Sequence, residues 1–144
     1  MNRLGSTIIV DASVAVKWLA PEPDSSAAEA VAEGGTLAAP ELLLVECANI
    51  LWRRVRKGEM PRRDATTGLM DLRSAPLALH RDEDLVDSAQ TLALDFDHPV
   101  YDCLYIALAR RLGVPVITAD RRFAELAERF PSLNGMIVAL NTLR

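Results

Sequence analysis

Residues 101–120 read YDCLYIALARRLGVPVITAD, and this stretch decides the fold. Tyr101, Leu104, Tyr105, Leu108, Ala109 and Leu112 recur at the spacing of one buried helical face. Gly113 suits the left-handed position that ends a helix, and Pro115 prevents its continuation. Val116-Ile117-Thr118 then reads as a short buried strand, with Asp120 just past its end. One acid, Asp102, thus sits in the first turn of a helix, and a second hangs off the carboxyl end of the next strand. In open α/β sheets that edge is where ligands bind.

Working outward, the same alternation repeats. Thr7–Val10 is a short β-rich run ending at Asp11, and Ser13 is placed to cap a short helix that Pro21 and Pro23 stop. Ser26 and Glu29 have capping-box spacing at the head of an alanine-rich helix that ends at Gly34-Gly35. Thr36–Ala39 reads as a second strand. Pro40 suits the first position of a long helix to Lys57, closed by Gly58. A helix from Pro61 to about Ser74, interrupted by Gly68, precedes a third strand, Leu77–His80. Asp82-Glu83-Asp84 favours a helix start, carried on by Leu85, Val86, Ala89, Leu92, Ala93 and Phe96. A helix from Phe123 to Phe130, a turn at Asn134-Gly135 and a strand from Met136 to Leu140 complete the chain. Short strands alternating with helices predict a three-layer α/β/α sandwich around a parallel sheet of about five strands. All 144 residues are expected to form a single domain.

Half the residues are hydrophobic, yet no apolar run approaches the roughly 20 residues of a membrane span. The segment MNRLGSTIIVDASVAVKW reads as a lead into the first strand, not a signal peptide. Cys47 and Cys103 fit buried thiols in a reducing compartment, so the expected location is the cytoplasm, away from membranes. The net charge of −4 gives no general case for nucleic acid, but its distribution does. Arg53, Arg54, Arg56, Lys57, Arg62 and Arg63 face Glu59 alone across 11 positions, a basic ridge on an acidic body. Arg53 and Arg56 are its candidate phosphate contacts, with Arg110, Arg111, Arg121 and Arg122 behind them. Trp18 and Trp52, in apolar helical surroundings, read as core packing in preference to base stacking.

Asp11 and Asp120 both follow strands, so a parallel sheet delivers them to one edge. Two of the acids also have plain readings: Asp11 as a helix cap, Asp102 as a first-turn acid stabilised by the helix dipole. Glu46 is harder to explain that way. In LLLVECANILW the polar residues are Glu46 and Asn49, on one narrow stripe that continues to Arg53. Four acids converging at separations of ~6 Å and an effective dielectric of ~20 repel by ~2.8 kcal/mol per pair. Six such pairs rival the stability of a whole domain. Either some acids stay protonated or a hard divalent ion lies among them. An all-oxygen set without a His or Cys cluster suits Mg²⁺ or Mn²⁺ better than zinc. His80 and His98 have no mutual metal spacing and read as loop or surface residues.

The ordered set IIVDASV, APELLLVECANILWRRVRKGEM and HPVYDCLYIALARRLGVPVITADRRF resembles the PIN-domain nucleases. More narrowly it is similar to the VapC-type ribonuclease toxins of bacterial toxin–antitoxin pairs, and the likeness spans nearly the whole chain. The resemblance implies that Asp11, Glu46, Asp102 and Asp120 are a catalytic quartet holding one or two Mg²⁺ or Mn²⁺ ions. Ser13, Asn49 and Thr118 match supporting positions near the site. It further implies hydrolysis of single-stranded or looped RNA to 5′-phosphate and 3′-hydroxyl ends, with Asp120 or Asp102 orienting or deprotonating the water. A homodimer and a VapB-like antitoxin whose C-terminal tail enters the site also follow from it. Two other readings stand beside this one: a free-standing PIN ribonuclease of RNA processing, and a non-catalytic metal-dependent interaction domain.

Overall fold

The computed structural model describes residues 6–20 and 22–143. Pro21, expected to stop the first helix, lies outside the described residues. Five strands, β1 (Thr7–Val10), β2 (Thr36–Pro40), β3 (Leu77–His80), β4 (Val116–Thr118) and β5 (Ile137–Ala139), form one sheet in the order β3-β2-β1-β4-β5. Every pairing is parallel, with Ile9 opposite Ala38, Val10 opposite Ile117 and Val116 opposite Ile137. The seven α-helices of the described residues are α1 (Ala12–Ala15), α2 (Ser25–Glu33), α3 (Leu42–Arg56), α4 (Arg62–Ser74), α5 (Val86–Phe96), α6 (Val100–Leu112) and α7 (Arg121–Arg129).

The two-residue period of the strands separates two cores. Ile9, Ala38, Val116 and Ile137 join the larger one with residues of α3, α5, α6 and α7. Their chain neighbours Val10, Leu37 and Ile117 turn to the other face, against Val14, Ala28 and Val31. Helices therefore cover both sides of the sheet, as the sequence predicts. The chain lays down β1, β2 and β3 in one direction, then returns to place β4 and β5 on the other side of β1. The strand order reverses between β1 and β4, and in such sheets the crevice beyond the carboxyl ends at that point takes ligands.

Local expectations differ in four places. Asp11, not Ser13, caps α1, accepting from Val14 N. Pro40 ends β2 opposite His80 instead of opening α3. It lies past the last β1 pairing, where a missing N–H leaves the ladder intact. The first amide of α3 is capped from a distance, Leu42 N donating to Asp82 Oδ1 at 3.1 Å. The Ser26–Glu29 capping box does not form. Here α2 starts at Ser25, whose hydroxyl accepts from Glu22 N, and Asp24 bonds Lys17 at 2.8 Å instead of capping. Finally, α6 is buried nearly all round from Cys103 to Ala109, while Tyr101, expected on the buried face, is 60% exposed.

Gly68 sits where α4 crosses Leu19 and Leu51, both 3.7 Å from the position of an added Cβ. That is ordinary van der Waals contact on a helical backbone, so a methyl group fits. Gly68→Ala is expected to stabilise the protein by about 0.5–1 kcal/mol by removing the glycine's helix penalty. A lower urea midpoint for the variant would show that the crossing is tighter than these distances indicate.

Candidate active site

A cavity of about 210 Å³ opens at the reversal point, lined by Asp11, Ser13, Glu46, Asn49, Arg53, Asp102 and Asp120, with Ala12 and Ile50 between them. The structure thus brings all four predicted acids to one place. Asp11 follows β1, the start of α6 carries Asp102, and the β4–α7 turn supplies Asp120, which caps α7 by accepting from Arg122 N and Phe123 N. The middle of α3 brings Glu46 in from the side. The plain readings also hold, since Asp11 and Asp120 are helix caps and Asp102 lies in a first turn. Cap and site are compatible because a parallel strand that runs into a helix ends at that helix's N-terminus.

Asp11 is buried and bound on both oxygens. Ser13 Oγ donates to Oδ1 and Thr118 Oγ1 to Oδ2, each at 2.5 Å. Each hydroxyl then accepts an amide of the turn that follows β4, Ser13 from Ala119 N at 2.8 Å and Thr118 from Asp120 N at 2.9 Å. Thr118 does not line the cavity; it is fully buried beneath it.

Two site partners were not expected from the sequence. Tyr105, fully buried in α6, donates its hydroxyl to Glu46 Oε1 at 2.6 Å. His98 is no surface residue: its side chain is 8% exposed, stacked on Phe123, with Nε2 2.7 Å from Asp102 Oδ2. The i, i+4 spacing of His98 and Asp102 across a helix start was the available signal. Tyr105 carried none, because helical spacing accounts for it as core.

Burial pushes the Asp11 carboxyl up to about 6, against the lowering effect of Ser13, Thr118 and Val14 N, with the Asp102 charge adding to the rise. Burial likewise takes Glu46 to about 7, opposed by the Tyr105 hydroxyl and reinforced by Asp102, Asp11 and Asp82. Asp102 is raised by burial against the His98 contact, with Asp120 adding to it. The acids therefore feel one another's charge. Among the described residues, however, no three His, Cys, Asp or Glu side chains are drawn together tightly enough to hold a metal ion. Each carboxylate is turned to a donor of its own.

The basic ridge does not act as one unit. Arg53 reaches the cavity, but Arg54 pairs with Glu22, which also binds Lys17 at 2.9 Å. Arg56 lies over the ring of Trp52, 5.5 Å from its centroid. Trp52, expected in the core, is 53% exposed, whereas Trp18 is partly buried and donates to Ala28 O.

Residues 8–129 match the PIN domain family. The chain is also 36% identical to ribonuclease VapC3 of Pyrobaculum aerophilum over 129 residues, 88% of this chain and 96% of that protein. The chain belongs to the PIN-domain family. Within it, this PIN domain groups with the VapC ribonucleases, which makes it a nuclease of the hydrolase class. Among solved structures, PAE2754 of Pyrobaculum aerophilum has a similar fold, with a TM-score of 0.69 and 21% identity over 94% of this chain and 85% of that one. VapBC2 of Rickettsia felis, solved on a fragment of its promoter DNA, gives 0.59 and 13% over 92% and 98%.

A carboxyl whose folded pKa is raised contributes stability that is full below its unfolded pKa and is lost as pH rises through the folded one. For Asp11 that window runs from 3.8 to about 6, and for Glu46 from 4.5 to about 7. The cation-free protein is therefore expected to lose stability between pH ~4 and ~8. Glu46→Gln keeps an oxygen for Tyr105 and removes the charge. It should flatten the upper part of that decline and add about 1–2 kcal/mol near pH ~8, after discounting for solvent screening. Urea melts in chelator at several pH values check this; a variant less stable than wild type at high pH would overturn it.

Proposed function

We propose that this PIN domain is the toxin of a toxin–antitoxin pair, an endoribonuclease that needs Mg²⁺ or Mn²⁺. The observation that carries the reading is the meeting of Asp11, Glu46, Asp102 and Asp120 at one cavity where the sheet order reverses. Their donor set is all oxygen, and burial and neighbouring charge destabilise the ionised forms of Asp11, Glu46 and Asp102, which fits a hard cation. Bound among these acids, such a cation supplies charge neutralisation at the phosphodiester and an activated water. The chain's own groups do the rest. Ser13 and Thr118 fix Asp11, Tyr105 holds Glu46, and Asp102 or Asp120 orients or deprotonates the attacking water. Asn49 stands beside Glu46 as a polar support, and Arg53, with Arg56 beyond it, contacts RNA phosphates. The whole chain, 1–144, acts as one nuclease domain, and the protein works in the cytoplasm as a homodimer.

The expected partner is a VapB-like antitoxin; the Rickettsia felis neighbour is itself a VapBC complex. An Arg or Lys on its tail, placed in the acidic cavity, would neutralise the quartet in the cation's stead.

Purified protein is expected to cleave RNA in Mg²⁺ or Mn²⁺, poorly in Zn²⁺, and not in excess chelator. Asp11→Asn, Glu46→Gln, Asp102→Asn and Asp120→Asn should each abolish cleavage while the protein stays folded. Undiminished cleavage in chelator would end the metal reading, and four active variants would make these acids structural. Expression alone should arrest growth, and co-expression with the protein encoded next to it should restore growth and yield a complex. Harmless expression without any such partner would favour the free-standing ribonuclease.

A further inference from the structure

On α3 successive residues turn by about 100°. Leu43, Cys47 and Leu51 are the buried face. Glu46, Asn49 and Arg53 line one shoulder, at the cavity. The outward face carries Val45, 66% exposed, and, two turns on, Trp52, 53% exposed. The indole lies next to Arg53 in the chain, with the Arg56 guanidinium over its ring. Lys57 follows at the end of the helix.

From this arrangement we infer that Trp52 is a stacking platform for an unpaired base of the RNA, next to the phosphate held at the acidic cavity. The inference rests on the nuclease reading and names the side chain that would hold an unpaired base beside the site. An aromatic face beside a line of cations is how proteins bind single strands: the cations follow the backbone and the ring takes a base. Arg56 extends the platform, since a guanidinium plane stacks on a ring and pairs with phosphate. The surroundings favour RNA over a second copy of the chain. A subunit contact centred on Trp52 would bring Arg53, Arg56 and Lys57 of one copy close to the same charges of the other. RNA neutralises them. Stacking is tolerant of base identity, so Trp52 confers a need for an unpaired nucleotide, not for a particular one.

The test uses the full-length protein in Mg²⁺, carrying Asp11→Asn so that RNA survives, and a short single-stranded RNA oligonucleotide of mixed sequence. RNA should quench the part of the tryptophan emission that Trp52→Phe removes. Trp52→Ala should weaken binding by roughly 5- to 150-fold, the range for loss of one stacked base, and Trp52→Phe by less. The salt dependence should stay unchanged in Trp52→Ala and flatten in Arg53→Gln. A duplex of the same sequence should bind without quenching. The inference is overturned if Trp52→Ala binds the single strand like its parent. It is also overturned if that variant turns a dimer into monomers at unchanged RNA affinity, which would make the face a subunit contact. Cleavage by the otherwise wild-type protein separates the two levels. Cleaved RNA with a silent Trp52 defeats the stacking inference alone, whereas no cleavage in Mg²⁺ or Mn²⁺ defeats the nuclease reading.

Discussion

The buried Asp11 carboxylate is the joint on which the site depends. A carboxylate taken out of water without donors costs several kcal/mol, and here both oxygens are satisfied by hydroxyls from adjacent strand ends. A hydroxyl can donate and accept at once. Ser13 and Thr118 each give a proton to Asp11 and accept an amide proton from the turn that carries Asp120. Valine in place of Thr118 would keep the β4 strand and lose both bonds. The register between Val10 and Ile117 is thereby converted into a fixed relation between two acids.

Three of the four acids stand at helix starts, where backbone N–H groups and the helix dipole favour negative charge. The fold thus offsets part of the repulsion it creates by bringing them together. Glu46 has no such help. It lies mid-way along α3, its one protein donor is the Tyr105 hydroxyl, and its carboxyl is pushed up to about 7. Its charge is thus held without help from a helix start.

Much of this was legible in the sequence because it is local. The β4 strand, the Gly113 stop with φ +68° and the Asp120 position follow from residues within a turn of one another. The order of acids after strands needed only the rule that parallel strands share an edge. The errors came where distant groups competed. Ser25 and Asp24 gave their capping capacity to Glu22 N and Lys17, and α3 took its cap from Asp82, 40 residues away. Trp52 departs from the core position expected of it, and Tyr105, buried as expected, makes a hydrogen bond that its spacing does not reveal, for one reason. An aromatic residue in an apolar helix looks like core whether its polar end reaches a carboxylate or its ring faces solvent.

α6 is buried nearly all round because it packs within the larger core, between residues of the sheet and α5. Asp102 and Tyr105 are three apart on that helix, so they share a face, and Tyr105 reaches from the core to Glu46 on α3. One helix therefore sets the positions of two acids, one directly and one through a hydrogen bond. On the α3 side, Cys47, next to Glu46, packs its sulfur 4.0 Å from Ala12 O, one residue beyond Asp11. The walls of the acidic cavity are thus continuous with the larger core. Close-packed interiors transmit displacement instead of absorbing it, so a volume change at Cys47 or Leu43 would be felt at Glu46. The acids cannot be held by surface loops alone, because ångström-scale errors would turn separated carboxylates into clashing ones. Packing around α6 supplies the precision that their chemistry requires.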